Sequence, residues 1–280
     1  MSNHSAYRAF VDRLSKTKDS VREKSTKKRK NLGLRTAREN LDDLADPGSF
    51  LEFGAFAVAA QRNRRDYEEL QLETSADGIL TGFCNINEDE VGEDNSHAAA
   101  IIYDYSVLAG SQGFFHHQKL DRICEKAEEF SLPVVIFTEG GGGRPGDTDV
   151  TTQIAGLHIP SFSTWARLTG KCLKIAVNNG YCFAGNAVLF GCSDFMIATK
   201  QSWIGMAGPA MIEGGGLGVY DPKEIGPAEE QYKNGVLDYL AEDEKEATFI
   251  AKKLLSYFQG NLSDWSIAVS YTHLRAHETV

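Results

Sequence analysis

The chain has 280 residues, of which 42% are hydrophobic, so it is long and apolar enough to bury a globular core. Its formal net charge of −10 argues against a general nucleic-acid-binding protein, which needs a basic face, although a local basic cluster can still bind an anionic ligand. No apolar run has membrane-spanning length, and the first residues lack a signal-peptide pattern. Five cysteines without a CxxC pair are typical of free thiols in a reducing cytoplasm.

The beginning of the chain predicts helices. Residues 1–31 are rich in Lys, Arg and Ser and predict a solvated helical arm. The basic run at 27–30 is interpreted as a solvated charge run rather than a nucleic-acid patch. Residues 36–44 predict a further helix, which the Asp-Pro-Gly sequence at 46–48 ends. We therefore expect an N-terminal helical arm over residues 1–47.

Further along the chain, short apolar runs alternate with glycine-bearing loops and helical patterns. The predicted strands are residues 77–82, 98–107, 132–137, 172–177 and 194–198. The predicted helices are residues 113–130, 151–169, 187–192 and 243–258. The acidic stretch 88–95 predicts a loop, and 205–218 is too rich in glycine to be regular. Since strand, glycine loop and helix occur twice in succession, the order indicates an α/β domain.

A glycine cluster at 140–143 directly follows a predicted buried strand. Glycine lets a ligand lie close to backbone N–H groups, and two such groups aimed at one point form an oxyanion hole. A flexible linker is the alternative, but a linker rarely follows a buried apolar strand at once. A phosphate-binding P-loop is excluded, because it needs Lys where Asp147 stands.

The second candidate loop, residues 178–187, also lies between a predicted strand and a helix. Its small residues suit a helix N-terminus packed against a ligand, or simply a tight turn. The Gly-x-Cys-x-Ala pattern around Cys182 is similar to a nucleophile elbow, but a buried Cys is more often inert. The histidines that could serve such a nucleophile are His116, His117 and His158.

Two further features are ambiguous. Residues 208–216 indicate either a loop that closes a pocket or a mobile surface loop. Arg62, Arg64 and Arg65 form a basic cluster that either meets phosphates or is a solvated face. His116 and His117 point in different directions from a helix, so no metal site is expected there.

The order and spacing of short motifs over residues 34–258 resemble the carboxyltransferase subunits of biotin-dependent acyl-CoA carboxylases, of the propionyl-, acetyl- or methylcrotonyl-CoA carboxylase type. The motifs that carry the resemblance are Thr36-Ala37-Arg38-Glu39, Gly48-Ser49-Phe50, Asp77-Gly78 with Thr81-Gly82, Asp104-Tyr105-Ser106-Val107 with Gly110-Ser111 and Gly113, His116 and Lys119, Gly141-Gly142 with Arg144, Ala184-Gly185, and Gly208-Pro209.

The resemblance implies a crotonase-like (ClpP/crotonase) spiral of stacked β-β-α units over residues 48–266. It implies transfer of a carboxyl group from carboxybiotin to the α-carbon of an acyl-CoA through an enolate, with this chain as the amino-terminal, acyl-CoA-binding half. The implied partners are the biotin carboxyl carrier and biotin carboxylase components, a C-terminal carboxyltransferase half and further copies in a homo-oligomer. Neither nucleic acid nor a membrane is expected as a partner, and no metal is expected as a cofactor.

For the site, the resemblance assigns the oxyanion role to the backbone amides of Gly141 and Gly142. The substrate-binding residues that it implies, with the basic cluster added, are Gly143, Arg144, Cys182, Ala184, Gly185, Gly208, Pro209, Arg62 and Arg64. The chain departs from the family pattern where Gly140 and Gly143 replace Ser and Ala, and where Asn186 replaces Gly.

Two alternatives stay open. One is another crotonase-fold acyl-CoA enzyme, either a decarboxylase subunit or a hydratase with Glu139 and Glu213 as its available acids. The other is a non-catalytic CoA-binding module. Residues 267–280 resemble a translated sequencing adapter and are left out of the fold prediction. We accordingly expect the natural protein to continue past residue 266 and the fragment alone to be inactive.

Overall fold

The computed structural model of the protein describes residues 2–150 and 159–260. The helices are α1 (Ser2–Ser15), α2 (Glu23–Asn31), α3 (Ala37–Leu44), α4 (Tyr67–Glu73), α5 (Glu88–Val91), α6 (Glu93–Ser96), α7 (Phe114–Phe130), α8 (Ser161–Arg167), α9 (Gly185–Gly191), α10 (Pro209–Gly214), α11 (Ala228–Lys233) and α12 (Glu244–Ser256). The strands are β1 (Leu51–Phe53), β2 (Ile79–Asn85), β3 (His97–Tyr103), β4 (Val134–Phe137), β5 (Lys174–Asn178), β6 (Tyr181–Phe183), β7 (Phe195–Thr199), β8 (Trp203–Gly205) and β9 (Tyr239–Ala241).

Seven of these strands form one sheet in the order β1-β2-β3-β4-β5-β7-β9, and β6 pairs with β8 in a small separate sheet. The β1-β2 and β2-β3 pairs are antiparallel, and every later pair is parallel. This arrangement confirms the α/β prediction. Because β4 and β5 run side by side, with Phe137 opposite Val177, the loops that follow them leave the sheet at the same edge.

The sheet is covered on both faces, which explains the uninterrupted apolar runs of its strands. Side chains alternate along each strand, so Ile101 and Ile136 join the core under α7, α8 and α9. Ile102 and Val135 join a second core under α3 and α12. The two helical layers hold the parallel strands, and thereby the edge where the glycine loops emerge.

The prediction of a solvated arm is correct only for part of it. Helix α1 leaves large apolar side chains exposed, Phe10 among them, but α2 and the turn before it enter the interior. Arg22 and Arg29 are only 4% and 5% exposed. Arg22 donates a hydrogen bond to Asp104, with 3.0 Å between Nη1 and Oδ2, and Nε donates to the carbonyl of Leu72. The basic run is therefore not wholly a surface feature.

Several local predictions need correction. The acidic stretch 88–95 contains the short helices α5 and α6. Residues 205–218 contain α10, whose first residue is a proline. The turn predicted over 178–187 includes β6, which pairs with β8. The first part of the predicted helix 151–169, with His158, lies outside the described residues, and so does the adapter-like tail at 267–280.

Candidate functional site

The glycine loop after β4 and the loop around β6 lie against each other. Gly140 N donates to Tyr181 O at 2.7 Å, and Phe183 N donates to Gly140 O at 3.0 Å. Gly142 has φ +86°, and a Cβ atom there would lie 2.7 Å from the Cβ atom of Ala184. Only glycine combines this backbone conformation with so close an approach. The structure thus brings together the two loops that the sequence singled out.

Other predicted residues join the same junction. Ala184 adopts φ 52°, ψ −121°, an uncommon conformation for a residue with a side chain, and its N–H donates to Gly205 O. A Cβ atom on Gly185 would lie 2.4 Å from Oε1 of Gln112, and one on Gly208 would lie 3.5 Å from the ring of Phe183. Pro209 follows as the first residue of α10.

The structure corrects which amide of the glycine loop is available. Gly141 N donates to Ala109 O at 3.1 Å, and Gly142 N donates to Oδ1 of Asn186 at 3.0 Å. Both amides that we predicted for the oxyanion hole are therefore already bonded within the protein. An incoming oxygen would have to displace these acceptors, which makes the two amides poor donors in this conformation.

The next amide, that of Gly143, has no acceptor in the part of the chain that the structure describes. Gly143 and Gln112 form an isolated parallel bridge, in which Gln112 N donates to Gly142 O at 2.8 Å and Arg144 N donates to Gln112 O at 2.9 Å. In such a bridge the N–H of the central residue points away from its partner. Gly143 is exposed, a Cβ atom there would meet nothing within 4 Å, and no described residue accepts from its N–H.

Arg144, predicted to bind substrate, instead holds two buried carboxylates. Its guanidinium contacts Asp77 through Nη2 and Asp147 through Nε at 2.7 Å, and its side chain is almost fully buried. The two acids also accept from first-turn amides of α7: His116 N donates to Asp77 and Phe114 N to Asp147, each at 2.8 Å. The side chain therefore anchors the end of the glycine loop to α7, and its charge is satisfied internally.

The pKa values of the two acids differ because their environments differ. Burial raises the pKa of Asp77 in spite of the attraction of Arg144. For Asp147, which is less buried, the hydrogen bonds and charge of Arg144 outweigh burial and lower the pKa. The negative charges of Asp77 and Asp147 are thus stabilised by the guanidinium of Arg144 and by the N-terminus of the 17-residue helix α7.

Glu139, the residue before the glycine loop, pairs with the helical arm. Nη1 of Arg29 donates to Oε1 of Glu139 at 2.9 Å, and Nη2 lies 2.8 Å from Oε2. A second carboxylate, Glu244, lies 3.7 Å from the same guanidinium. A Cβ atom on Gly180 would lie 2.1 Å from Oε1 of Glu139, so the glycine leaves room for this carboxylate. The Arg29 contact could not be predicted from the sequence, because nothing in a lysine-rich run marks which cation is buried.

Burial raises the pKa of Glu139 from 4.5 to about 7, and the nearby carboxylates of Glu244 and Asp104 add to this effect against the pull of Arg29. Between these two pH values the folded chain keeps a proton that the unfolded chain has released. The contribution of Glu139 to stability is therefore present below pH 4.5 and is lost as the pH rises through about 7.

This loss of stability with rising pH gives a prediction for Glu139→Gln, whose side chain stays neutral at every pH. Its free energy of unfolding should rise relative to that of the wild-type protein as the pH rises from 4.5 to 7. Urea denaturation at several pH values measures the difference, with Glu129→Gln as an exposed control. A difference that stays constant over this window would contradict a raised pKa.

Cys182 does not have the features of a nucleophile. Its side chain is fully buried, and Sγ lies 3.6 Å from Oγ1 of Thr138. Burial raises the pKa of the thiol to about 12, so almost none of the reactive thiolate forms at neutral pH. The residue supports the loop junction by packing.

The two neighbouring histidines are also buried and bonded. Nδ1 of His117 lies 2.9 Å from Oγ of Ser161, and burial lowers the pKa of His117 to about 4. Burial also lowers the pKa of His116, whose Nδ1 lies 3.1 Å from the carbonyl of Asp77. Lys119 is buried beside them and donates to Ala76 O at 2.9 Å; burial lowers its pKa to about 8. These side chains fix the start of α7.

The exposed arginines of the basic cluster lie next to the segment that follows the glycine loop. A Cβ atom on Gly146 would be 2.7 Å from Nη2 of Arg64. Arg62 donates its backbone N–H to Asp149, and its guanidinium lies over the ring of Tyr67 at 4.2 Å. The positions of these arginines do not test whether they bind an anionic ligand, so that role stays a prediction.

Over residues 2–150 and 159–260, no group of three or more His, Cys, Asp or Glu side chains is arranged to hold a metal ion. No helix in the described part of the chain has both the length and the apolar character required to cross a membrane.

The sequence profile of the family described as "Carboxyl transferase domain" matches residues 28–271. This chain belongs to the carboxyl transferase domain family. The match confirms the resemblance drawn from the ordered motifs. It also includes the glycine loop, the β6–α9 loop and the Gly208-Pro209 pair within one family region.

This chain is similar over most of its length to several known proteins. It is 31% identical over 241 residues to the methylmalonyl-CoA carboxyltransferase 12S subunit of Propionibacterium freudenreichii subsp. shermanii, covering 85% of this chain and 43% of that protein. The structure of a single-chain, multi-domain long-chain acyl-CoA carboxylase matches with a TM-score of 0.88 and 49% identity, over 93% of this chain and 26% of that one.

A hexameric transcarboxylase 12S structure with methylmalonyl-CoA bound matches with a TM-score of 0.75 and 27% identity, over 92% of this chain and 48% of that one. These matches confirm the crotonase-like fold. This chain spans less than half the length of each of these relatives.

Proposed function

We propose that residues 48–266 form the acyl-CoA-binding half of a site that transfers a carboxyl group from carboxybiotin to the α-carbon of an acyl-CoA. The observation that carries this proposal is the exposed Gly143 amide at the junction of two glycine-bearing loops. Family membership supports the reaction class, and the loop geometry supports the role of this chain in it.

In this reaction the α-carbon of the thioester loses a proton, and negative charge develops on the thioester oxygen. The α-carbon bonds to the carboxyl carbon that carboxybiotin supplies as the carbon–nitrogen bond to biotin breaks, and the released biotin nitrogen takes up a proton, which balances the one lost from the α-carbon. Gly143 N–H would donate to the oxygen as it becomes negative, and Gly141 and Gly142 would shape the turn that presents it. One such donor is worth about 2.7–4 kcal/mol of barrier.

The open space at Gly143 fits a thioester, because a Cβ atom there would meet nothing within 4 Å. The junction of Ala184, Gly185 and Gly208 would form the neighbouring wall of the pocket. Arg62 and Arg64, which are exposed beside Gly146, would meet the phosphates of CoA. Arg144 would contribute by holding the loop rather than by touching the substrate.

We further propose that a biotin carboxyl carrier, a biotin carboxylase and a second carboxyltransferase half complete the enzyme. Copies of the assembled chain would associate in a homo-oligomer. The hexameric assembly of the related 12S structure supports this arrangement. The free thiols of the chain suit the cytoplasm, where we place the enzyme.

The test is a reconstitution of the full chain with these components. Labelled bicarbonate, ATP and a panel of acyl-CoA thioesters from acetyl- to palmitoyl-CoA are supplied, and label in the acyl-CoA product is measured. Failure to carboxylate any thioester would exclude the proposal. CoA binding without turnover would favour a non-catalytic module, and addition of water to an enoyl-CoA without biotin would favour a hydratase.

Removing the Gly143 N–H should reduce carboxylation strongly. We expect kcat of Gly143→Pro to be about 10²–10³-fold below that of Gly143→Ala, since proline lacks the N–H whereas alanine keeps it. Alanine fits at residue 143, because a Cβ atom there has open space. Circular dichroism checks that both variants fold; equal kcat values in two folded variants would remove Gly143 from the reaction.

A further inference from the structure

Asn186 connects the two ends of the glycine turn. Its side chain is fully buried in the first turn of α9. Nδ2 donates to Thr138 O, at the end of β4, with 3.0 Å between the atoms. Oδ1 accepts from Gly142 N, also at 3.0 Å. One side-chain amide thus spans the turn from the residue that enters it to the residue near its tip.

The glycine turn has room for the Asn186 side chain because residue 140 lacks a Cβ atom. A Cβ atom on Gly140 would lie 2.2 Å from Nδ2 of Asn186 and 2.2 Å from Gly110 O, closer than non-bonded atoms approach. Residue 140 must therefore be glycine while Asn186 occupies its position. The fit indicates that the contact is part of the packing of the loop.

The contact adds a side-chain restraint to a glycine turn that backbone hydrogen bonds also hold. Four successive glycines rotate freely, because none has a side chain to restrict φ. Asn186 holds the N–H of Gly142, and Gln112 N holds its carbonyl at 2.8 Å. The carbonyl of Gly142 and the N–H of Gly143 belong to one planar trans peptide, so they point in opposite directions. Holding Gly142 at both groups therefore sets the direction of the Gly143 N–H.

We propose that Asn186 is a positioning residue, which holds Gly142 and thereby aims the Gly143 N–H at the thioester oxygen. The inference rests on the proposed function for its chemical role. The restraint itself depends only on the hydrogen bonds of the chain, so it is tested separately from turnover.

The restraint is tested by amide hydrogen exchange on the full chain, read at single residues by NMR. In the wild-type protein Gly142 should exchange at least tenfold more slowly than Gly143, because Gly142 N–H has an acceptor and Gly143 N–H has none among residues 2–150 and 159–260. Asn186→Ala should speed exchange at Gly142 at least tenfold. Equal exchange of the two amides in the wild-type protein would overturn the proposal even if the variant failed to fold.

The matched control is Asn178→Ala. Asn178 is also fully buried, and its side chain donates to Gly180 O at 2.7 Å and accepts from Oγ1 of Thr138 at 3.3 Å, but it bonds no amide of the glycine turn among the described residues. Loss of this side chain should leave the exchange rates of Gly142 and Gly143 unchanged. If Asn178→Ala speeds exchange at Gly142 as much as Asn186→Ala does, the restraint is not specific to Asn186.

The positioning role is tested in the reconstituted enzyme. Asn186→Ala should lower kcat at least tenfold while KM for the acyl-CoA changes less than threefold, because a misdirected donor weakens stabilisation of the developing charge more than binding. Faster exchange with unchanged kcat would overturn the role in positioning. Absence of turnover in the wild-type enzyme would instead reject the proposed function, and the exchange rates would still report the restraint.

Discussion

Arg29→Met should lower the free energy of unfolding by about 3–5 kcal/mol, because it leaves buried carboxylates without their counter-ion. Glu139 accepts a hydrogen bond from Nη1 of Arg29 and forms an ion pair with Nη2, and Glu244 lies 3.7 Å from the same guanidinium. Methionine fills much of the space but supplies no charge. Denaturation by urea at pH 8, where Glu139 is largely ionised, measures the loss.

The matched control for Arg29→Met is Lys28→Met in the same helix. Lys28 is exposed, so the same change of residue class should alter the free energy of unfolding by no more than about 0.5 kcal/mol. If the two variants lost similar stability, the burial of Arg29 would not matter, and the interpretation of residues 27–30 as a solvated run would be restored.

Arg144→Met should also cost about 3–5 kcal/mol of stability, for a related reason. It would leave Asp77 and Asp147 facing each other in the interior, with the first-turn amides of α7 and the side-chain amide of Gln61 to stabilise their charge but no cation. Because Arg144 directly follows the glycine loop, carboxylation should fall with stability. Arg167→Met is the control, since its guanidinium is half exposed and lies 3.5 Å from Glu128.

The same variant separates two interpretations of Arg144. If the arginine anchors the loop, Arg144→Met loses stability in the absence of any ligand. If the arginine binds substrate, as the sequence predicted, the variant keeps its stability and shows a higher KM for the acyl-CoA. A folded variant with wild-type urea midpoint and raised KM would therefore reverse the assignment made from the structure.

The sequence was most informative where the pattern is local. Strands β4 and β5 were predictable because a strand buried on both faces is apolar throughout, and α7 and α12 because their apolar residues recur at helical spacing. Strand β6 has three residues, too few to show any period, and α10 is hidden among glycines. Strand β6 is held by its pairing with β8, which lies elsewhere in the chain.

The predictions for the site also succeeded where a local pattern was present and failed where a tertiary contact decides. The two glycine loops could be placed together in advance, since each follows a strand of the α/β pattern and matches a family motif. Which amide stays free could not be predicted, because Asn186 lies 44 residues from Gly142. The role of Arg29 depends on Glu139, 110 residues away. Such pairings are set by tertiary packing, which no local pattern records.

The interior position of Arg22 has a consequence for how this fold is divided. The family match begins at residue 28, yet Arg22 precedes it and neutralises Asp104 inside the domain. A boundary drawn by similarity therefore cuts through a packed unit. Chimeras that exchange the leading helices between relatives would have to move positions 22 and 29 together with 104 and 139, because each half of these pairs is costly to bury without the other.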